Sequence, residues 1–524
     1  MSASSVRVLF LALLIQCVGI ADHSLWTPDE PREAQIVREM SLKGDYLIPS
    51  HAGRPFLEKP PLYYIVATAA YRLFGGYYQE AGRFASLLFA FSLLLAVYAA
   101  TRSLYGDEAS VFAPLILATF PLFFLASHKM LVDMGLVFFI TAAMCSFLLA
   151  FKGLFPAGYK VFWLCLVLAF LTKGIVGLAI PGAGILVFML WQRDMRIIRD
   201  AWIIQGVLLV FTVMLAWGLV LYLKGGTEFL YTFYIYNHLG RFIPAGTIYQ
   251  GGHVRDFSYY LLNVPLQTAP WSLLLVPAVV SAGHRRDTER FLYSWLLGGL
   301  LLLSISSTKR EIYFLPMFPA LAVIIAGWMA RSASGETERW EEYFLLGTAG
   351  LMLIACMILP IGYVKIGGGI LLAAGLAIFT ACMFVLLWRH YGRNLAYSSV
   401  VGWLTVFVLW TPAIFPQIDR IKSYKQIFID IGRQVSHEEV IGYELTETIE
   451  ALGPFYGGFP VRNIEDRGQF IKALDDQASD YIIVLPERLD PGLREELASR
   501  ARLTGRHGGK TRREIELWTM HSSP

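Results

Sequence analysis

The sequence predicts an all-α polytopic membrane domain of about thirteen transmembrane helices, followed by a small C-terminal α/β soluble domain. Three observations lead there. Hydrophobic residues make up 56% of the 524 positions and charged residues only 16%, against about 25% charged in an ordinary soluble domain. The charges are unevenly spread, with 33 of the 84 in residues 417–524. The first 416 residues break into apolar stretches near the length of about 20 residues that crosses a bilayer. This composition excludes a soluble enzyme and a disordered chain. A net charge of +4 is too small to imply nucleic acid or another anionic polymer as partner.

Candidate spans lie near 6–21, 82–101, 109–127, 132–150, 161–176, 177–192, 203–223, 263–281, 291–306, 311–330, 343–363, 369–388 and 397–416. The first, Val8–Ile20, is apolar enough for a signal peptide, but no small-residue cleavage pattern follows it and it reads as a span. With the N-terminus inside, the short inner loops carry Arg102, Lys152, Lys160, Arg193, Arg196, Arg199, Arg285, Arg286, Arg290, Arg331, Arg339, Arg389 and Arg393. The outer turns hold only Lys129, Lys173, Lys309, Arg310 and Lys365. Positive charge favours the cytoplasmic side, so the N-terminus is expected there. An odd number of spans then makes the long loops near 22–81 and 224–262, and the 417–524 domain, face the periplasm or cell exterior. The division is therefore 1–416 for the membrane domain and 417–524 for the periplasmic one.

In 417–524, Val440–Leu445 and Tyr481–Leu485 read as strands, Pro491–Leu503 as a helix, and a charged segment ending in Glu514–Trp518 as a last strand. No repeat and no low-complexity segment is present. The five cysteines, Cys17, Cys145, Cys165, Cys356 and Cys382, all lie in apolar runs without metal-ligand spacing and read as small buried hydrophobes.

Chemistry concentrates in the expected outer segments. The first loop contains Trp26-Thr27-Pro28-Asp29-Glu30-Pro31-Arg32-Glu33, then Arg38-Glu39-Met40, Gly44-Asp45 and Glu58-Lys59-Pro60-Pro61-Leu62-Tyr63-Tyr64. Pro28 before an acidic pair suits the first turn of a helix on the membrane, with Asp29 near its N-terminus. Further along stand Asp133, Lys173, His238, Arg241 and the run Lys309-Arg310-Glu311-Ile312-Tyr313. Each has a plainer role when taken singly. Asp133 can pair with Lys129 or His128, Lys173 can snorkel, His238 can be a hydrogen-bonded structural histidine, and Lys309-Arg310 can anchor headgroups. Yet all fall on one face of the bilayer by a topology deduced without them, and ionisable groups near the membrane usually have a partner or a task. Carboxylates beside several cations suit a phosphate-bearing substrate and a hydroxyl nucleophile: the cations neutralise a departing phosphate and a carboxylate takes the proton. The chain has no Walker loop and no Gly-rich dinucleotide fingerprint, and a cytosolic nucleotide sugar is out of reach outside the cell. A lipid-borne sugar phosphate fits better.

These residues resemble the bacterial branch of the GT-C glycosyltransferases, which includes the protein O-mannosyltransferases and the transferase that adds 4-amino-4-deoxy-L-arabinose to lipid A. The similarity rests on the first-loop motifs, Leu171-Thr172-Lys173-Gly174, His238-Leu239-Gly240-Arg241-Phe242 and Tyr313-Phe314-Leu315-Pro316. It covers roughly residues 6–330. The C-terminal domain resembles that of the aminoarabinose transferases in size and placement only. The resemblance implies an inverting enzyme with a polyprenyl-phosphate (undecaprenyl-phosphate) sugar donor. Asp29 would be the counterpart of the first-loop catalytic Asp, deprotonating or orienting the acceptor hydroxyl for attack on the anomeric carbon. Lys59 and Arg241 would hold the donor phosphate, with Lys173 a further candidate. Asp133 would bind sugar or acceptor, or support Lys59. Tyr313 would sit near the donor and Arg32 on the substrate side, with Lys309 and Arg310 as further substrate-binding candidates. Glu58 and His238 match positions that hold a divalent metal ion in some relatives, and no other cofactor is implied. Glu33 stands where the aminoarabinose transferases carry an aromatic residue, and Pro60-Pro61-Leu62 is closer to the general family. Both leave the sugar open. The acceptor implied is lipid A or another envelope glycan, with a protein hydroxyl as the alternative. A transporter or flippase for lipid-linked sugar, or an inactive carrier-binding relative, are the readings from another class.

Overall fold

The computed structural model describes residues 3–193, 196–241, 243, 253–281, 287–391, 394–436, 438–509 and 512–521. Phe242, Arg285, Arg286, Arg393 and much of 244–262 (up to residue 252) lie outside the described residues. The chain forms two compact units. One comprises Met1–Ile20, Leu57–Tyr63 and Arg83–Ile414; the other comprises Ala21–Phe56, Tyr64–Gly82 and Phe415–Pro524.

The first unit is a helical membrane bundle. Among the described residues seven helices are long and apolar enough to cross a bilayer, and nine if each of two bent pairs counts as one span. The protein is therefore a multi-pass membrane protein, but the expected thirteen crossings are not reached by this criterion. The stretches 6–21, 161–176, 177–192 and 291–306 are helical, as Ala3–Cys17, Gly158–Lys173, Val176–Gln192 and Asp287–Ile305. They fall short in length or apolarity. Ala3–Cys17, at 15 residues, reaches only about 22 Å of a core of about 30 Å.

Burial separates interior helices from lipid-facing ones. The apolar window of Glu311–Ala333 is 83% buried, whereas that of Ile370–Leu387 is 11% buried. Cys17 and Cys382, expected to be buried, are exposed, the latter on that lipid-facing helix. Small residues bring the interior helices together. A Cβ on Gly298 would stand 2.6 Å from the Ala183 carbonyl carbon, and one on Gly184 would stand 3.1 Å from the Trp295 Cα. Helices Val176–Gln192 and Asp287–Ile305 thus pack nearly backbone to backbone.

The bent pairs are Asp107–Ala118 with Pro121–Ser127 (69°) and Tyr259–Gln267 with Trp271–Ser281 (111°). Pro121 cannot continue the first ladder. Irregular backbone at membrane depth survives only where protein satisfies it. Here Trp271 Nε1 donates 2.9 Å to the Thr119 hydroxyl, which donates 2.9 Å to the Leu115 carbonyl. The two breaks are thereby tied to each other.

In the second unit, residues 415–524 build a five-stranded mixed sheet. Its order is Val461–Ile464, Val440–Tyr443, Tyr481–Val484, Arg512–Met520, Ala501–Gly509, the first three parallel and the last two antiparallel to their neighbours. Strand side chains alternate between faces. Ile483 and Leu517 join Phe428, Ile431 and Leu452 on one face, while Ile482, Val484 and Trp518 join Phe470, Leu474 and Leu497 on the other. The expected helix over 491–503 ends at Arg500, and Leu503 belongs to the strand Ala501–Gly509. That strand is an edge, buried on one side only, and its Arg-rich outer face hid the period-2 signal.

Candidate active site

In the membrane unit a cavity is lined by Glu58, Lys59, Asp133, Lys173, Asn237, His238, Arg241, Ser306, Thr308 and Tyr313. Leu136, Ile175, Val176, Ile180, Leu303, Ile312 and Pro316 supply its apolar wall. Seven of the sequence-derived candidates thus meet in one place, drawn from five separate stretches of chain. Lys309 and Arg310 do not line it. The Lys309 ammonium donates to the Arg255 carbonyl at 3.1 Å, and the Arg310 carbonyl accepts from the Tyr260 hydroxyl at 3.3 Å.

Helix ends position the charges. Asp133 lies in the first turn of Val132–Phe151, and Lys173 is the last residue of Gly158–Lys173. An acid at a helix N-terminus and a base at a C-terminus each complement the backbone dipole. The two form a direct ion pair, so Asp133 pairs with Lys173 instead of Lys129 or His128. His128 is turned to the Phe124 and Val18 carbonyls. The Lys173 ammonium lies 5.1 Å from the centre of the Tyr313 ring. Arg241 Nη1 is 3.4 Å from the Tyr313 hydroxyl, and Arg241 Nη2 is 3.8 Å from Glu58 Oε2. Arg241 is fixed through its backbone: its carbonyl accepts from the Ser306 and Ser307 hydroxyls at 3.1 and 2.8 Å.

The stretch expected to open the second long outer loop is largely helical. Helix Ile203–Leu230 bends at Gly225 and Gly226, which leave helical φ/ψ, and continues as a π-helical segment Tyr231–His238 and a turn Leu239–Arg241. Such wide turns recur at functional sites. Here the segment brings His238 and Arg241 to the cavity. His238 Nδ1 donates 2.6 Å to the Phe233 carbonyl. Its Nε2 stands 1.8 Å from where a Cβ on Gly174 would be, and Gly174 has φ +72°. Only glycine fits there, in conformation and in space. A metal on Glu58 and His238 does not fit this arrangement. One imidazole nitrogen is spent on a carbonyl, the other lies against Gly174, and Glu58 faces a guanidinium. Among the described residues no group of three or more His, Cys, Asp or Glu is placed to hold a metal ion.

Asp29 and Arg32 belong to the second unit. Asp29 precedes helix Glu30–Lys43, as expected from the Pro-Asp-Glu pattern, but its side chain does not cap the helix amides. Its carboxylate lies 3.7 Å from Arg32 Nη2, beyond ordinary hydrogen-bond reach. Arg32 instead donates 2.6 Å to Glu447 and 3.1 Å to Glu33, and its guanidinium lies 5.4 Å from the centre of the Phe56 ring. Glu33 also accepts 2.6 Å from the Tyr64 hydroxyl. Nearby, burial pushes Glu450 up to about 7, with Glu447, Glu465 and Glu39 adding repulsion against the pull of Arg54. Burial also raises Glu39, but bonds from Ser50, Gln35 and the Gly53 amide, with Lys43, outweigh it and leave its carboxyl below the usual range. Sequence reasoning missed Glu447, Glu450, His51 and Arg54. No local motif marks them, because their partners lie about 400 residues away in the chain.

The helical bundle with this small mixed-sheet domain is the GT-C glycosyltransferase fold. The chain matches the crystal structure of ArnT from Cupriavidus metallidurans bound to undecaprenyl phosphate with a TM-score of 0.82, at 21% identity and 98% coverage of both chains. The apo state of that protein matches at 0.78. Residues 58–218 match the family model of dolichyl-phosphate-mannose-protein mannosyltransferase. The chain is 31% identical over 372 residues to an undecaprenyl phosphate-alpha-4-amino-4-deoxy-L-arabinose arabinosyl transferase of Edwardsiella ictaluri, covering 68% of this chain and 65% of that protein. To the Yersinia pestis (strain Pestoides F) protein of the same name it is 28% identical over 379 residues, covering 70% and 66%. The matched segment spans just under two thirds of the length of these relatives. The chain is thus similar to the aminoarabinose transferases over the segment it shares with them, and to the protein mannosyltransferases over residues 58–218.

Proposed function

We propose that the protein is an inverting glycosyltransferase that moves a sugar from undecaprenyl phosphate to an acceptor hydroxyl or phosphate on lipid A or another envelope glycan. The observation that carries this reading is the cavity itself, where Lys59, Lys173 and Arg241 face an apolar wall. That combination suits a phosphate borne on a lipid. The names of the relatives, and the undecaprenyl phosphate bound to the Cupriavidus protein, support the same donor. The acceptor oxygen attacks the anomeric carbon as its bond to the phosphate oxygen breaks. Asp29 takes the acceptor proton, and the leaving polyprenyl phosphate keeps the electron pair. Lys59 and Arg241 neutralise the charge that develops on it. In this reading the N-terminus is cytoplasmic, and the 22–81 segment and the 417–524 domain face the periplasm of the inner membrane.

The test is to incubate purified protein with undecaprenyl-phosphate sugars and an envelope extract, and to follow free carrier and acceptor mass by mass spectrometry. Release of carrier with a matching mass gain is expected, with a loss of about 10²–10⁴-fold in Asp29→Asn. Undiminished turnover in that variant would remove Asp29 from the role of base. Mass gain on a protein instead of a glycan would establish the mannosyltransferase-like alternative. Carrier that moves between leaflets without losing its sugar would establish the flippase.

A further inference from the structure

The geometry points to the short helix Glu447–Leu452 of the C-terminal domain as the device that positions Asp29, with Thr448 and Glu447 as positioning residues. This rests on the reading of Asp29 as the base. The Thr448 hydroxyl donates to the carbonyl of Pro28, the residue just before Asp29. The adjacent Glu447 accepts 2.6 Å from Arg32, three residues after Asp29. Consecutive residues of one helix therefore grip the turn carrying Asp29 from both sides. The grip extends outward on the N-terminal side. Asp419 accepts from the Ser24 amide at 2.8 Å and from Trp26 Nε1 at 2.8 Å, and the Tyr456 hydroxyl accepts from the Leu25 amide at 2.8 Å. Arg54 adds a bond of 2.7 Å to Glu450 on the same short helix.

Locally the turn is spanned by the Trp26 amide, which donates 2.8 Å to the Glu30 carboxylate. The Asp29 side chain does not cap its own helix, and Thr27 and Pro28 border an open cleft of about 860 Å³, where water competes for their polar groups. Glu447 has a second effect. Together with Glu33 it holds the Arg32 guanidinium, leaving Asp29 at 3.7 Å. An Arg32 freed from Glu447 would close on Asp29 as a bidentate pair, and a carboxylate so paired is a poorer base. Thr448 thus sets where the carboxylate stands, and Glu447 sets how tightly it is paired.

The experiment compares Thr448→Val with Thr448→Ser, and Glu447→Gln with Glu447→Asp, in the full-length protein. Val and Gln are expected to lower kcat by about 10- to 100-fold, the scale of a misplaced catalytic group, with KM for the undecaprenyl-phosphate sugar within about twofold. Ser, which keeps the hydroxyl, and Asp, which keeps the carboxylate charge that Gln loses, are expected to recover most of the rate. Wild-type kcat in Thr448→Val and Glu447→Gln, or a Ser variant as impaired as Val, would overturn the proposal. Hydrogen exchange at the amides of residues 30–36 reads the grip without turnover. If the wild type turns over no donor, the glycosyltransferase reading fails. Faster exchange in Thr448→Val would still establish the clamp, and unchanged exchange would sink it.

Discussion

In the membrane unit two acid–base pairs stand at the cavity, Asp133 with Lys173 and Glu58 with Arg241. Around Arg32 in the other unit, Asp29, Glu33 and Glu447 share one guanidinium, and Glu450 is buried among further carboxylates. The difference follows from the surroundings. Beside lipid, an unmatched charge is costly, so acids and bases are placed at helix ends where dipole and partner both stabilise them. In the other unit an excess of acid is held by the shared Arg32 and by Arg54, and burial tunes its members apart from one another.

Breaking the matched region should have the largest effect. Lys173→Met leaves Asp133, whose side chain is only 11% exposed, without its ammonium, and is expected to destabilise the protein by about 3–5 kcal/mol. Adding Asp133→Leu should recover much of that, because the orphaned charge is gone. Thermal unfolding in detergent of the single and double variants checks this, and a double variant no better than the single would show that the pair is not energetically coupled. Next in size, Lys59→Ala and Arg241→Ala are each expected to lose about 2–4 kcal/mol of transition-state stabilisation, roughly 30- to 1,000-fold in rate. Initial rates of carrier release measure it, and unimpaired rates in both would place the phosphate elsewhere.

The acid-rich region should respond more gently, and to pH. Glu450 has its carboxyl pushed up to about 7 from an ordinary 4.5, so between those values the folded state binds more protons than the unfolded. Stability from this group is therefore complete below about pH 4.5 and is lost as pH rises through 7. The groups facing it are Arg54, His51, Glu447, Glu465 and Glu39, and burial holds the His51 imidazole below its ordinary range. Melting temperatures between pH 5 and 8 are expected to fall less in Glu450→Gln than in wild type. An identical slope would mean that Glu450 does not titrate in this window.

Much of the cavity was legible from residue type and topology. Lys59, Asp133, Lys173, His238, Arg241 and Tyr313 stand out because charge and polarity are rare in apolar surroundings. Two pairings were not legible. Asp133 has Lys129 and His128 nearer in sequence, yet the packing of helices Val132–Phe151 and Gly158–Lys173 delivers Lys173. Lys309 looked like a site cation, yet its ammonium is turned to the Arg255 and Ser306 carbonyls. Sequence distance predicts neither outcome, because side-chain partners are chosen by helix packing.

By itself the sequence determined that this is a multi-pass membrane protein with a small mixed α/β domain, because apolar length and charge distribution express the cost of polar groups in lipid at every position. It also singled out the scarce charged and polar residues that line the cavity. Tertiary structure alone decided that helix Glu30–Lys43 is held by Glu447 and Thr448, some 400 residues away, and that Gly174 must be glycine because His238 lies against it. Those are contacts between distant segments, fixed by the shape into which the whole chain packs and by no local pattern.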